Sequence, residues 1–138
     1  MEEHDQLSDQ EFAQQFADCS LPPQWFSHTA HLRLAWVLLR EYGLERTRLL
    51  MCEQIQRFDQ THGDGTKFHQ TLTEAAVQVM HHFMQRKETA SFTELLDKFP
   101  RLETDFKGLL LSHYSPAVLF APTSSTTYAE PDVMAFPN

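Results

Sequence analysis

The stretch KFHQTLTEAAVQVMHHFMQRK, residues 67–87, decides the fold class. Phe68, Leu72, Ala75, Ala76, Val79, Met80 and Phe83 recur at spacings of three and four, which puts a broad apolar face on a long helix. The neighbouring stretches read the same way. Upstream, Leu44 to Gln60 carries Leu49, Leu50, Cys52, Ile55 and Phe58 at helical spacing and stops at His62-Gly63-Asp64-Gly65. Before it, Ser27 is placed to cap a helix running to Tyr42, with Leu32, Ala35, Trp36 and Leu39 on its core face and Gly43 as its stop. Ser8-Asp9-Gln10-Glu11 has the form of a capping box opening a short helix through Phe12 and Phe16, which Leu21-Pro22-Pro23 ends.

Downstream, Ser91-Phe92-Thr93-Glu94 repeats the capping-box pattern ahead of Leu95 and Leu96, and Pro100 follows. Thr104 is placed to cap a further helix through Phe106, Leu109, Leu110 and Leu111, and Pro116 to Phe120 suits a single turn. From Ala121 the chain mixes Pro122, Pro131 and Pro137 with Ser and Thr. No segment alternates like a strand. These signals predict an all-α protein: one domain over 1–138, a compact bundle of about five to seven helices over about 8–120, and an extended, largely irregular tail over 121–138.

A chain of 138 residues with 41% hydrophobic residues suits one folded domain. Its 11 basic and 19 acidic residues give a net charge of -8, which disfavours binding to nucleic acid or to an anionic membrane surface. The longest apolar runs, such as Leu34 to Leu39, are far too short to span a bilayer. Two cysteines, Cys19 and Cys52, cannot make a disulfide framework, and the opening Met1-Glu2-Glu3-His4-Asp5 has no signal-peptide character, so a cytoplasmic setting is expected.

The informative residues are histidines. His4, in an end expected to fray, and His62, in a turn, carry little, and the consecutive His81 and His82 point about 100° apart. His28 and His31 are neighbours on one helix surface, one turn ahead of Leu32 and Ala35. His69 stands in the same relation to Leu72 and Thr73. In an up-down-up bundle the second and fourth helices start at the same end, so these three histidines are expected to converge there. Three imidazoles suit a divalent metal with an open coordination position, while helix N-termini suit a carboxylate or phosphate. The third possibility is that the histidines only cap the core. Gln70 and Tyr114 are candidates to contact a ligand, with a buried structural role the alternative for Tyr114; Glu130-Pro131-Asp132 reads as a turn, with folding back over the site as the alternative. Ser115 lies near His113 without a nucleophile-elbow pattern, which argues against a hydrolase.

In order, an aromatic residue ahead of His28-x-x-His31-Leu32, then Phe68-His69-x-Thr71, Tyr114-Ser115 and Glu130-Pro131-Asp132 resemble a family of small bacterial all-helical proteins of uncharacterised function. The resemblance spans about residues 25 to 137 and implies a site at these motifs, but no substrate or reaction. That family's second motif commonly reads Tyr-His-Glu-Thr, and here Gln70 stands where its carboxylate would be. The sequence thus leads to a small helical protein with a histidine-lined polar pocket, as a metal-dependent enzyme with His28, His31 and His69 as ligands. The alternative is a non-enzymatic ligand-binding or interaction domain in which they are structural. A small-molecule ligand and a homodimer are both compatible with it.

Overall fold

Capping side chains, more than composition, set where each helix begins. The computed structural model describes residues 2–137; Met1 and Asn138, the ends of the expected domain, lie outside the described residues. Among the described residues it contains eight α-helices and no strand: α1 (Asp9–Ala17), α2 (His28–Tyr42), α3 (Leu44–His62), α4 (Gln70–Arg86), α5 (Phe92–Lys98), α6 (Arg101–Thr104), α7 (Phe106–Leu111) and α8 (Pro116–Leu119). The all-α expectation holds, and the count reaches eight because α6, a single turn of four residues, forms where the sequence suggested none. Backbone contacts divide the chain into two units, one up to Phe68 and one from His69 onward.

In the first unit the Ser8 and Glu11 capping box forms in full, and Ser27 caps α2 by accepting the N–H of Ala30. Gly43 joins α2 to α3 with no further linker. Its φ of +81° lies in the left-handed region, where a side chain would be strained. Phe12, Phe16, Leu21, Leu32, Leu34, Ala35 and Met51 are buried between these helices.

The start of the chain is not frayed as the sequence suggested. Glu3–Gln6 forms a 3-10 turn, and His4 is only 1% exposed. The reason is Arg33, on the second turn of α2. Its guanidinium donates to the carbonyls of His4 (2.8 Å) and Leu7 (2.8 Å) and to Oδ1 of Asp9 (2.8 Å), and it lies 4.8 Å from the Phe12 ring centre. It also faces His4 Nδ1 at 3.1 Å, and because a guanidinium can only donate, that nitrogen is the acceptor. A buried charge is tolerable when its donors are met in this way.

In the second unit α4 begins three residues later than the sequence suggested. The side chain of Asp59 explains the delay: its Oδ2 accepts the N–H groups of Lys67 (2.8 Å) and Phe68 (3.0 Å) and holds both in a turn outside the helix. His69 becomes the N-cap, its Nδ1 accepting the N–H of Leu72 at 3.0 Å. Further on, Asp105 caps α7 through Gly108, while the expected cap, Thr104, spends its hydroxyl on the carbonyl of Pro100. Pro100 starts α6 where the sequence suggested only a stop.

The tail does contain little regular structure beyond a 3-10 turn at Pro122–Ser125, but it is held closely within the second unit. Thr71 donates to the carbonyl of Thr127 (3.0 Å) and accepts the N–H of Ala129 (3.0 Å). The N–H of Ser115 donates to Oδ1 of Asp132 at 2.8 Å, and this bond, with one from the Ser115 side chain, lowers the Asp132 carboxyl below its usual range. His113 stacks on Phe136 at 4.1 Å and pairs through Nδ1 with the carbonyl of Met134.

Candidate functional site

The structure divides the residues singled out from sequence between the two units. His28 and His31 belong to the first; His69, Gln70 and Tyr114 belong to the second. Among the described residues, no group of three or more His, Cys, Asp or Glu side chains is arranged to hold a metal ion.

His28 is exposed on the first turn of α2. His31, one turn on, stacks against Phe26 with ring centres 5.4 Å apart. The residue keeps some surface in solvent, yet its Nε2 is fully buried and has no hydrogen-bond partner. Burial, with a smaller contribution from the charge of His28, pushes the His31 imidazole down to about 4, so it is neutral at physiological pH.

Phe26 leads into a set of stacked aromatic rings. It lies 4.4 Å from Phe16 and 5.6 Å from Phe58; Phe16 and Phe58 stack at 4.5 Å, and Phe58 meets His62 at 4.6 Å. Beside these rings is a cavity of about 240 Å³ lined by Pro23, Phe26, Ile55, Phe58 and Phe68, with Asp59, His62, Gly63 and Lys67 supplying its polar atoms. Phe58, Asp59 and His62 come from the last turns of α3, which presents them together because residues three and four apart share a helix face.

Each polar neighbour has a local role. Asp59 fixes the turn after α3 through the two N–H groups described above. Gly63 gives that turn its closeness, since a Cβ there would sit 2.8 Å from Asp59 Oδ1 and 3.1 Å from the Asp59 carbonyl oxygen. His62 Nε2 lies 2.7 Å from the carbonyl oxygen of Cys19 and must be the donor. Cys19 has φ of +65°, a left-handed conformation rare for a side-chain-bearing residue, and His62 secures its carbonyl. Burial of Asp59 is nearly complete, at 8% exposure, whereas Lys67 is exposed.

A wider groove of about 620 Å³ runs along α1, α2 and α3 in the same unit. Its floor is formed by Ala13, Ala17, Val37 and Leu38 and its margins by Gln10, Gln14, Glu41 and Arg46, with Tyr42 as its single aromatic residue. The smaller cavity is the better ligand site because three aromatic rings line it and its polar atoms lie together.

In the second unit, Gln70 donates to Glu74 Oε2 at 2.5 Å, and Gln78 donates to the Tyr128 hydroxyl at 2.8 Å. The phenols of Tyr128 and Tyr114 lie 3.3 Å apart, and Tyr114, with no exposed surface, donates to the carbonyl of Ala129 at 2.7 Å. Gln70 is thus paired with Glu74 on its own helix, and Tyr114 holds the tail. Burial lowers the His69 imidazole below its ordinary value.

Sequence reasoning missed Asp59, His62 and Lys67. A usable signal was present: Asp59 lies one turn, and His62 immediately, before Gly63-Asp64-Gly65, where a carboxylate commonly collects loop N–H groups. The fold and site together define an all-α protein with an aromatic-walled cavity in its first unit. Comparison with protein-family models, with curated proteins and with solved structures found no match to this chain.

Proposed function

We propose that this protein binds a small apolar molecule in the aromatic cavity of its first unit, and that most of its histidines serve the fold. The observation carrying this reading is a cleft of about 240 Å³ lined by Phe26, Phe58, Phe68, Ile55 and Pro23 beside a small polar set. Small-ligand sites combine apolar walls with a few placed polar groups in this way. The structural role of the histidines is supported by their bonds to backbone: His62 to Cys19, His69 to Leu72, and His113 to Met134. Cys19 and Cys52 are not joined in a disulfide, which supports a reducing, cytoplasmic setting. Among the described residues, no helix is long and apolar enough to cross a membrane.

The test is a thermal-shift and calorimetric screen of one-ring compounds and short aliphatic chains against the wild-type chain and Ile55→Trp. Ile55 is only part-buried, so the larger ring can fill the cavity without entering the core. Binding that is lost in Ile55→Trp, with helix content unchanged by circular dichroism, supports the reading. Binding unaffected by Ile55→Trp, or no binding in the screen, refutes it.

One observation favours a second reading, in which a divalent metal uses His31: its Nε2 is buried, neutral and unpartnered, the form in which imidazole ligates. Elemental analysis of untagged protein tests this, with His28→Ala, His31→Gln and His69→Ala reporting which of the expected ligands take part. Absence of bound metal, together with no stabilisation by added divalent ions, would rule it out.

A further inference from the structure

The polar groups around the aromatic cavity are not equivalent. Asp59 Oδ2 is occupied by the N–H groups of Lys67 and Phe68. His62 Nε2 is committed to the carbonyl of Cys19. Asp64, on the same turn, accepts the N–H and the hydroxyl of Thr66, and these bonds, with a smaller contribution from the nearby charge of Lys67, hold its carboxyl below the usual range. Lys67 differs from all of these. Its ammonium carries three donors, and among the described residues it makes no hydrogen bond and no ion pair within 4.0 Å. It lines the cavity, with Nζ 3.9 Å from where a Cβ on Gly63 would stand.

Asp64 and one oxygen of Asp59 are therefore engaged by the turn itself, and Lys67 supplies the donors that no hydrogen bond uses. We propose that the ligand of this cavity is a small apolar monocarboxylate, its acid group meeting Lys67 and its apolar body lying against Phe26, Phe58 and Phe68. This rests on the reading of the cavity as a ligand site. An amine would bring a second cation beside Lys67, and a neutral molecule would leave the ammonium donors to solvent. The chain's net charge of -8 slows the approach of an anion, but it acts over distances that salt screens, whereas the contact with Lys67 does not.

Matched probes of one shape decide the question by isothermal titration calorimetry on the full chain: phenylacetate, phenylacetamide and phenethylamine. The acid is expected to bind about tenfold more tightly than the amide, the size of one charge-assisted hydrogen bond, and the amine more weakly than both. Lys67→Met brings the acid-to-amide ratio to about one, and Lys67→Arg retains it. Lys67 is exposed, so neither variant disturbs the core. Hexanoate and a dipeptide ending in phenylalanine, added as further arms, separate a chain acid and a peptide terminus from a ring acid. Equal binding of acid and amide in the wild type, or tightest binding of the amine, overturns the carboxylate assignment and leaves the ligand site standing. A ratio that survives Lys67→Met overturns it as well. If none of the probes binds, both readings fall.

Discussion

His31 makes the stability of the protein depend on pH in a way that can be calculated. An unfolded histidine titrates near 6.5, whereas burial holds the His31 ring at about 4. Below about pH 6.5 the unfolded chain takes up a proton that the folded one refuses. The stabilising contribution is therefore complete above that pH and is lost as pH falls toward 4. Between about pH 7.5 and pH 4.5 the difference amounts to as much as about 2.5 kcal/mol, with the part-exposure of the residue reducing it. His31→Leu removes the titration, keeps an apolar side chain against Phe26 and leaves no buried polar atom unpaired. Urea unfolding followed by tryptophan fluorescence reports the right region, because Trp25 and Trp36 belong to the same unit as His31. Wild type and variant should differ little at pH 7.5, and the wild type should lose about 2 kcal/mol more than the variant by pH 4.5. The two curves include the same other histidines, so those contributions cancel. Parallel curves across that range would refute the claim that the ring is desolvated.

Three further outcomes follow from the geometry. Arg33→Lys should cost about 3 kcal/mol and expose the first eight residues to proteolysis, since an ammonium cannot reproduce a fork that serves His4, Leu7 and Asp9 together; a cost under about 1 kcal/mol would contradict its central role. Gly63→Ala should destabilise by more than about 1 kcal/mol and weaken ligand binding, because the added Cβ meets the backbone carbonyl of Asp59 as well as its side chain; an unchanged melting temperature would count against it. Thr71→Val should loosen residues 127–129, seen as faster amide exchange at Ala129, at a cost of about 1–3 kcal/mol; unchanged exchange there would mean the Thr71 hydroxyl does not hold the tail.

The helices were legible because local chemistry specified them. Ser8, Ser27 and Ser91 each cap the helix they precede in sequence, and Gly43 stops α2 at the expected residue. Sequence reading went astray where a side chain acts on backbone several residues away. Asp59 delays α4 by taking two N–H groups eight and nine residues on, and Arg33 orders a terminus 24 to 29 residues distant. Neither effect leaves a periodic trace. The cavity shows the same limit. Its aromatic walls read as ordinary core positions, and a cavity is defined by what fails to fill the space between them. His62, set aside as a turn residue, is a wall of that cavity for the same reason.

The bond between His62 and the carbonyl of Cys19 ties together two positions 43 residues apart. Residue 19 adopts a backbone conformation that glycine reaches freely and cysteine does not. A change to glycine at 19 would remove the strain and with it much of the need for a donor at 62. While a side chain occupies 19, substitutions at 62 carry a penalty that a glycine background would lack. The two sites are thus expected to tolerate change in a fixed order, 19 before 62. Since His62 also lines the cavity, a substitution at the distant cysteine would free that wall to vary.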